Sequence, residues 1–193
     1  GYAIGLPLGV TLAVTGKGGI RENKVVYRIL DVISNVIRSI PFLILLILII
    51  PLTRFLVGKS YGSSATIVPL VIAAAPFIAR MVESSLQEVD EGVIEAAKSM
   101  GAGTWTIIFR VLLVEARTSL IVGVTIALGT ILGYSAMAGV VGGGGLGDIA
   151  IRYGYYRYQT DIMVVTIVIL VLIVQVLQAL GMMLSKKLDR RNK

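Results

Sequence analysis

The apolar stretch at residues 162–184 limits the possible folds of this chain more than any other feature. Its 23 residues include no acidic or basic side chain, and only Gln175 and Gln178 are strongly polar. An α-helix of about 20 apolar residues spans the hydrocarbon core of a bilayer, and it satisfies its own backbone hydrogen bonds there. The stretch therefore predicts a transmembrane helix.

Four more apolar segments precede this stretch, and together they predict an all-α, polytopic membrane protein with one domain over residues 1–193. The five predicted spans cover residues 1–15, 32–52, 63–79, 119–140 and 162–184. The first is too short to cross a membrane, so we expect the cytoplasmic end of a truncated first transmembrane helix. Its Gly1-x3-Gly5-x3-Gly9 ladder, like the Gly129-x3-Gly133 step in the fourth span, allows another helix to pack closely.

Prolines interrupt two of the predicted spans. Pro41 is expected to kink the second helix, and Pro69 and Pro76 are expected to break the third, because proline removes a backbone hydrogen-bond donor. Arg38 is predicted to lie near the cytoplasmic end of the second span. Two interpretations of this arginine stay open: its side chain extends to the lipid headgroups, or it faces the interior of a dimer.

The composition indicates a protein for which lipid is part of the solvent. Hydrophobic residues make up 56% of the chain, charged residues make up 15%, and the mean hydropathy is +0.89. The net charge of +7 does not indicate nucleic-acid binding, because the basic residues flank the apolar segments and form no single stripe. The chain has no cysteine or histidine, so we predict no disulfide, no metal site and no other cofactor.

The distribution of basic residues predicts the orientation in the membrane. If five spans alternate, the first loop, the polar island at residues 83–110 and the tail at 185–193 lie on one side. With Arg38, Arg80 and Arg117 counted, that side carries 14 of the 18 Lys and Arg residues. The positive-inside rule places it, and the C-terminus, in the cytoplasm. The glycine-rich segment 139–147 lacks the Lys-Ser/Thr pair of a P-loop, so we expect a tight re-entrant or extracellular turn.

The polar island contains a predicted short helix between Asp90 and Gly101. Asp90 has the short carboxylate of an N-cap, and Val89 and Ile94 occupy the two positions of a hydrophobic staple. Gly101 is typical of the residue at which a helix stops.

One face of this predicted helix is apolar, and the chain offers no obvious core in which to bury it. We expect a partner protein to cover this face, with Glu95 at its rim. A helix lying on the membrane surface is the alternative, but such helices are usually basic and this one has acidic flanks. The apolar residues recur at helical spacing: Val93, Ala96, Ala97 and Met100.

The sequence Glu95-Ala96-Ala97, followed after three residues by Gly101, resembles the EAA motif of permeases in binding-protein-dependent ABC importers. In that family the motif forms a cytoplasmic coupling helix that occupies a cleft of the ATPase subunit. The family pattern continues to an Ile-x-Leu-Pro, whereas this chain has Val111-Leu112-Leu113-Val114, so the next helix is expected to begin differently. The residues that the resemblance assigns to ATPase coupling are Val93, Glu95, Ala96, Ala97, Met100 and Gly101.

Residues 38–42, 74–83 and 133–137 resemble the permease of bacterial methionine importers. This resemblance implies a homodimer in the bacterial cytoplasmic membrane that carries methionine by alternating access. It also implies two copies of an ATP-binding cassette ATPase and an extracytoplasmic methionine-binding protein as partners. The chemistry of the residues does not separate methionine from another small amino acid, so a permease for another amino acid remains an alternative.

Tyr134, Ser135 and Met137 are predicted to line the translocation path. The matching segment of the methionine permeases lies at the dimer axis, which favours this assignment over ordinary helix packing. Tyr134 and Met137 are three residues apart and share one helix face. An aromatic ring and a flexible thioether can close a narrow path by packing and can move apart without separating a buried ion pair.

Two other classes of function are disfavoured. The predicted third, fourth and fifth spans contain no ionisable residue except Tyr134, so an ion-coupled secondary transporter lacks its relay. The spans also lack a nucleophile paired with a base, so no catalytic residue is predicted. A permease driven by a separate ATPase needs neither feature, because its partner hydrolyses the ATP.

Overall fold

The computed structural model describes residues 1–188, and this part of the chain is helical and contains no strand. The all-α prediction is confirmed for these residues. The predicted cytoplasmic tail lies outside them from residue 189 onwards. The α-helices are α1 Tyr2–Thr15, α2 Lys24–Ser39, α3 Phe42–Leu48, α4 Ile50–Val57, α5 Ser63–Gln87, α6 Glu91–Ser99, α7 Thr104–Thr106, α8 Leu113–Glu115, α9 Arg117–Met137, α10 Gly145–Ile149 and α11 Thr160–Leu188. Three segments have other helical forms: the π-helices Ile107–Leu112 and Ala150–Tyr155 and the 3-10 helix Ala138–Val141.

Helix α5 is the centre of the fold, because it packs against α1, α2, α3, α4 and α9. It runs unbroken to Gln87, whereas the sequence predicted a span ending at residue 79 with breaks at Pro69 and Pro76. Both prolines are buried inside the helix. That prediction was wrong because neighbouring helices and small local adjustments compensate for the missing donors in a packed membrane helix.

The predicted glycine ladder of α1 is confirmed, and the helix that approaches it is the chain's own α5. A Cβ added to Gly5 would lie 2.7 Å from Cβ of Ile78, and a Cβ added to Gly9 would lie 2.5 Å from the backbone oxygen of Ala79. A larger residue at either position would overlap with α5. The two glycines therefore fix how closely α1 and α5 pack.

The predicted second span at residues 32–52 is wrong as a single helix. Helix α2 ends at Ser39, α3 begins at Phe42, and the two are bent by 104°. Ile40, between them, has an extended backbone (φ −82°, ψ 123°), because the ring of Pro41 disfavours a helical conformation in the residue before it. The result is a bent pair of helices, α2 and α3, which we refer to as the broken span, and not a single kinked helix.

This break changes the position of Arg38. Helix α2 begins beside the end of α1 and runs along α5, so that Ile37 shares an apolar crevice with Ile72 and Ala75. These two residues lie near the middle of α5. Arg38, in the last turn of α2, is therefore level with the middle of α5. Its predicted place near the cytoplasmic end of a span was wrong.

Three helices of the described chain are long and apolar enough to cross a membrane: α5, α9 with its 3-10 extension, and α11. The bent pair α2 and α3 can provide a fourth span, and α1 is a shorter apolar helix of 14 residues. The predicted number of five spans stays a prediction.

The ends of the long helices meet as the predicted topology requires. At one end, the Ser119 hydroxyl donates to Oγ of Ser85 (3.1 Å), and the Ser185 hydroxyl donates to the backbone oxygen of Thr118 (3.4 Å). At the other end, a Cβ added to Gly143 of the glycine-rich segment would lie 2.9 Å from Cγ2 of Thr66. The end of α5, the start of α9 and the end of α11 therefore share one side.

The Gly129-x3-Gly133 step does not bring helices together within the described chain. A Cβ added to Gly129 would lie at an ordinary distance of 3.4 Å from Nε2 of Gln178, and one added to Gly133 would meet nothing within 4 Å. The close approach of α9 and α11 occurs instead at Gly181, where an added Cβ would overlap with Thr125. The expected role of the step in the packing of α9 in a dimer stays a prediction.

Candidate functional site: the polar island and the broken span

The short helix of the polar island forms where the sequence predicted it. The carboxylate of Asp90 accepts a hydrogen bond from the backbone N–H of Gly92 at 2.8 Å and caps α6. Val89 is buried, and Ile94 packs against the same core. After the helix, Gly101 has φ +78°, a left-handed conformation that glycine adopts without strain.

The predicted coupling residues lie on two different sides of α6. Met100 is 82% exposed, Val93 is 41% exposed, and Glu95 and Ala96 are also exposed. Ala97 is only 5% exposed and belongs to the core of this chain. Its prediction as a residue that contacts a partner is therefore corrected, because it already packs inside the chain.

The segment after α6 carries two exposed aromatic residues that the sequence analysis missed. The rings of Trp105 and Phe109 stack at 5.9 Å between centroids and are 73% and 59% exposed. Their spacing of four residues on a helix within a polar island was the available signal. Val114, which stands in place of the family's proline, lies inside the short helix α8. Ala116 separates α8 from α9, which begins at Arg117.

Helix α6 is attached firmly to α5. Three residues separate Gln87 from Glu91, and one continuous core contains Leu86 from α5, Val89 from the connection and Ala97 from α6. A force on α6 is therefore transmitted to α5 through packed side chains and a short connection.

A cluster of ionic side chains joins α5 to α2, and we refer to Asp31, Asn35, Arg80 and Glu83 as the Arg80 cluster. Arg80 Nη1 donates to Glu83 Oε2 at 2.6 Å. Its Nη2 donates to the Asp31 carboxylate and, at 3.1 Å, to Oδ1 of Asn35. The Glu83 side chain is 5% exposed. The cluster therefore fixes the polar face of α2 to the part of α5 that the predicted span had left out.

The predicted third span, residues 63–79, contains no ionisable residue, but α5 continues to Gln87 and includes Arg80 and Glu83. The absence of ionisable residues was therefore wrong for the helix as a whole. The i, i+3 spacing of this pair and the i, i+4 spacing of Asp31 and Asn35 were signals that could have identified the cluster. Its single cation contacts both carboxylates and joins two helices, which is typical of a structural contact.

The three predicted path residues have different environments. The Tyr134 ring stacks on Phe42 of α3 with 4.7 Å between centroids and 8° between planes. Ser135 is exposed, and Met137 is 49% exposed. The broken span is thus held against α9 by Tyr134, while Ser135 and Met137 are free of such contacts.

Arg38 lies four residues before Phe42 and is exposed. Among the described residues it forms no ion pair, unlike Arg80 on the neighbouring helix. Its position at the end of α2 brings a cationic group beside the break in the span.

Over residues 5–193, the sequence matches the family described as binding-protein-dependent transport system inner membrane component. The chain belongs to this family. Membership in a family of inner membrane transport components agrees with the long apolar helices.

Individual members of the binding-protein-dependent transport family are similar over almost the whole chain. The probable D-methionine transport system permease protein MetI of Vibrio cholerae is 52% identical over 191 residues, which are 99% of this chain and 85% of that protein. The methionine import system permease protein MetP of Bacillus subtilis is 46% identical over 180 residues, 93% of this chain and 81% of that protein.

Solved structures of related transporters have the same fold. A chain from the inward-facing MetNI methionine ABC transporter matches with a TM-score of 0.96 and 49% identity, covering 98% of this chain and 88% of that one. A chain from an amino acid ABC transporter with histidines matches with a TM-score of 0.76, covering 96% of this chain and 86% of that one. At 21% identity, the second similarity concerns the fold alone.

Proposed function

We propose that this chain is the permease subunit of an ATP-driven importer that carries methionine across the cytoplasmic membrane. The observation that carries the proposal is the similarity, at about half of all positions and nearly full length, to methionine transport permeases. The chain forms the translocation path. A separate ATPase subunit hydrolyses the ATP, and an extracytoplasmic methionine-binding protein delivers the substrate.

The exposed face of α6 is the proposed contact with the ATPase. Val93, Ala96 and Met100 present an apolar surface, Glu95 lies at its edge, and Gly101 ends the helix. An exposed methionine beside small residues suits a cleft, because its side chain adapts to the shape of the surface it meets. Movement of the ATPase shifts α6, and the shared core transmits this shift to α5 and, through the Arg80 cluster, to α2.

The proposed path runs beside the broken span and the outer half of α9. Tyr134, Ser135 and Met137 line it, and Tyr134 and Met137, which share one face of α9, approach their counterparts in a second copy of the chain in the closed state. Broken helices near the middle of a membrane are a common way for transporters to build a substrate site, because they expose backbone and polar groups only there.

The proposal is tested by reconstituting the chain with its ATPase in proteoliposomes and adding the methionine-binding protein. We expect uptake of labelled methionine that requires ATP and the binding protein. Excess unlabelled methionine should compete, whereas other small amino acids should not. ATP-dependent uptake of a different amino acid in preference to methionine would retain the importer and reject methionine as its substrate.

A further inference from the structure

Helix α2 has two exposed faces of opposite character. Val25, Ile29, Val32 and Val36 form an apolar stripe at helical spacing, and each is more than half exposed. Asp31, Asn35 and Arg38 follow one another at i, i+4 and i+7, so they share a different face. In a bilayer the apolar stripe contacts lipid, and the polar face has to meet water, protein or a ligand.

The polar face changes along the length of the helix. Near its middle, Asp31 and Asn35 are engaged by Arg80. One turn further, Arg38 is level with the middle of α5 and has no carboxylate partner among the described residues. A positive charge at this depth is unfavourable unless an anionic group or water meets it, and such residues usually mark a transport path.

Arg38 lies directly before the break, and two aromatic residues follow the break. The chain turns by 104° directly after it, and Phe42 and the stacked Tyr134 lie on the far side of the turn. A guanidinium group binds a carboxylate through two parallel hydrogen bonds, which a lysine cannot reproduce. The site is exposed and contains one cation, so binding is weak enough for the ligand to leave again.

We infer that Arg38 is a transient binding site for the carboxylate of the transported amino acid. This inference rests on the proposed function, and it names the residue that the substrate meets at the break between α2 and α3. It also selects between the two interpretations of Arg38, because an arginine level with the middle of α5 is too deep to reach the headgroups.

The absence of cysteine from the chain allows a direct test. Asn35→Cys places a thiol one turn before Arg38 on the same face of α2, and Val36→Cys places a matched thiol on the apolar stripe. In the permease–ATPase complex, reconstituted in lipid nanodiscs without nucleotide, a charged methanethiosulfonate reagent should modify the first thiol and not the second. Millimolar methionine should slow the modification, whereas methioninamide, which lacks the carboxylate, should not.

Adding Arg38→Gln to Asn35→Cys should abolish the protection by methionine, and Arg38→Lys should retain part of it. On the Cys-free background, Arg38→Gln should lower ATP-driven methionine uptake by about tenfold or more, while the variant still assembles with the ATPase. Arg28→Gln, which removes an exposed cation at the other end of the same helix, should leave uptake unchanged.

Three results would overturn the inference. The first is equal labelling of the thiols at positions 35 and 36, and the second is persistent protection by methionine in the Arg38→Gln variant. The third is that Arg38→Gln dissociates the two copies of the chain while methionine does not affect labelling at position 35. The last result would show that a carboxylate of the second copy pairs with Arg38. If the unmodified chain transports an amino acid other than methionine, the proposal of methionine as the substrate is wrong. The role of Arg38 is then tested by measuring whether that amino acid protects the thiol from modification.

Discussion

At the scale of single residues, the adjacent alanines of α6 have opposite surroundings. Ala96 is exposed, whereas Ala97 is buried in a core that also contains Leu86 and Ile107. Spacing alone placed both on one apolar face, because a stripe three to four residues apart can be covered by the same chain or by another one. The identity of the covering chain is a tertiary property, and the local sequence does not contain it.

Glutamate at these two positions should therefore have different effects. Ala97→Glu places a charge in the core, and we expect it to lower the free energy of unfolding of the permease by roughly 3 kcal/mol. Ala96→Glu should leave the permease as stable as the original chain but weaken its association with the ATPase. Thermal unfolding in detergent and co-purification with the ATPase measure the two effects. Equal thermal stability of both variants would contradict the burial of Ala97.

Gly101 offers a second test at this scale. Its left-handed backbone disfavours a residue with a Cβ, so Gly101→Ala should destabilise the end of α6 by about 1 kcal/mol. Gly103→Ala is the matched control, because Gly103 has a negative φ and an added Cβ would meet nothing within 4 Å. Amide hydrogen exchange of residues 91–101 should increase in the first variant and stay unchanged in the second.

At the scale of secondary-structure elements, the effect of a proline depended on what surrounds it. Pro69 and Pro76 lie within α5, which is packed on several sides, and the helix continues through them. Pro41 follows the exposed end of α2, and there the chain turns. The sequence therefore allowed the prediction of the all-α class and of the Asp90 cap. It did not allow the prediction of which prolines break a helix, because this depends on tertiary packing.

The Arg80 cluster makes a prediction about how two elements are held together. Arg80→Gln leaves the buried carboxylate of Glu83 without its cation, and we expect a loss of roughly 3 kcal/mol of stability. Asp31→Asn should cost about 1 kcal/mol, since Arg80 keeps its bond to Glu83. Adding Glu83→Gln to Arg80→Gln removes the unpaired charge and should restore most of the stability. Thermal unfolding of the four proteins gives the comparison, and a double variant less stable than Arg80→Gln alone would be evidence against the ionic role.

At the scale of the whole molecule, much apolar surface is left uncovered by the chain itself. Only 6% of the most apolar stretch of α11 and 17% of that of α9 are buried. Lipid covers part of this surface, and the proposed homodimer covers another part around Met137. A single subunit leaves Met137 exposed and does not enclose a path by itself, so a symmetric pair is expected.

Cross-linking tests this arrangement. Met137→Cys introduces the only thiol in the chain, and in the inward-facing complex we expect it to form a disulfide with its symmetry mate and to stop methionine uptake. Reduction should restore transport, and the unmodified Cys-free chain is the control. Transport by a Met137→Trp variant at the normal rate, together with no cross-link, would remove this residue from the path.

The length of α5 has a consequence for the size of the movements involved. At 25 residues it measures about 37 Å, and its inner end is joined to α6 by three residues. A rotation of α6 together with the inner end of α5 therefore moves the outer end of α5 over a larger distance. A tilt of about 10° at that end would displace the far end by about 6 Å, comparable with the width of an amino-acid side chain. A small tilt of α5 at its cytoplasmic end is therefore geometrically sufficient to open a passage on the opposite side of the membrane.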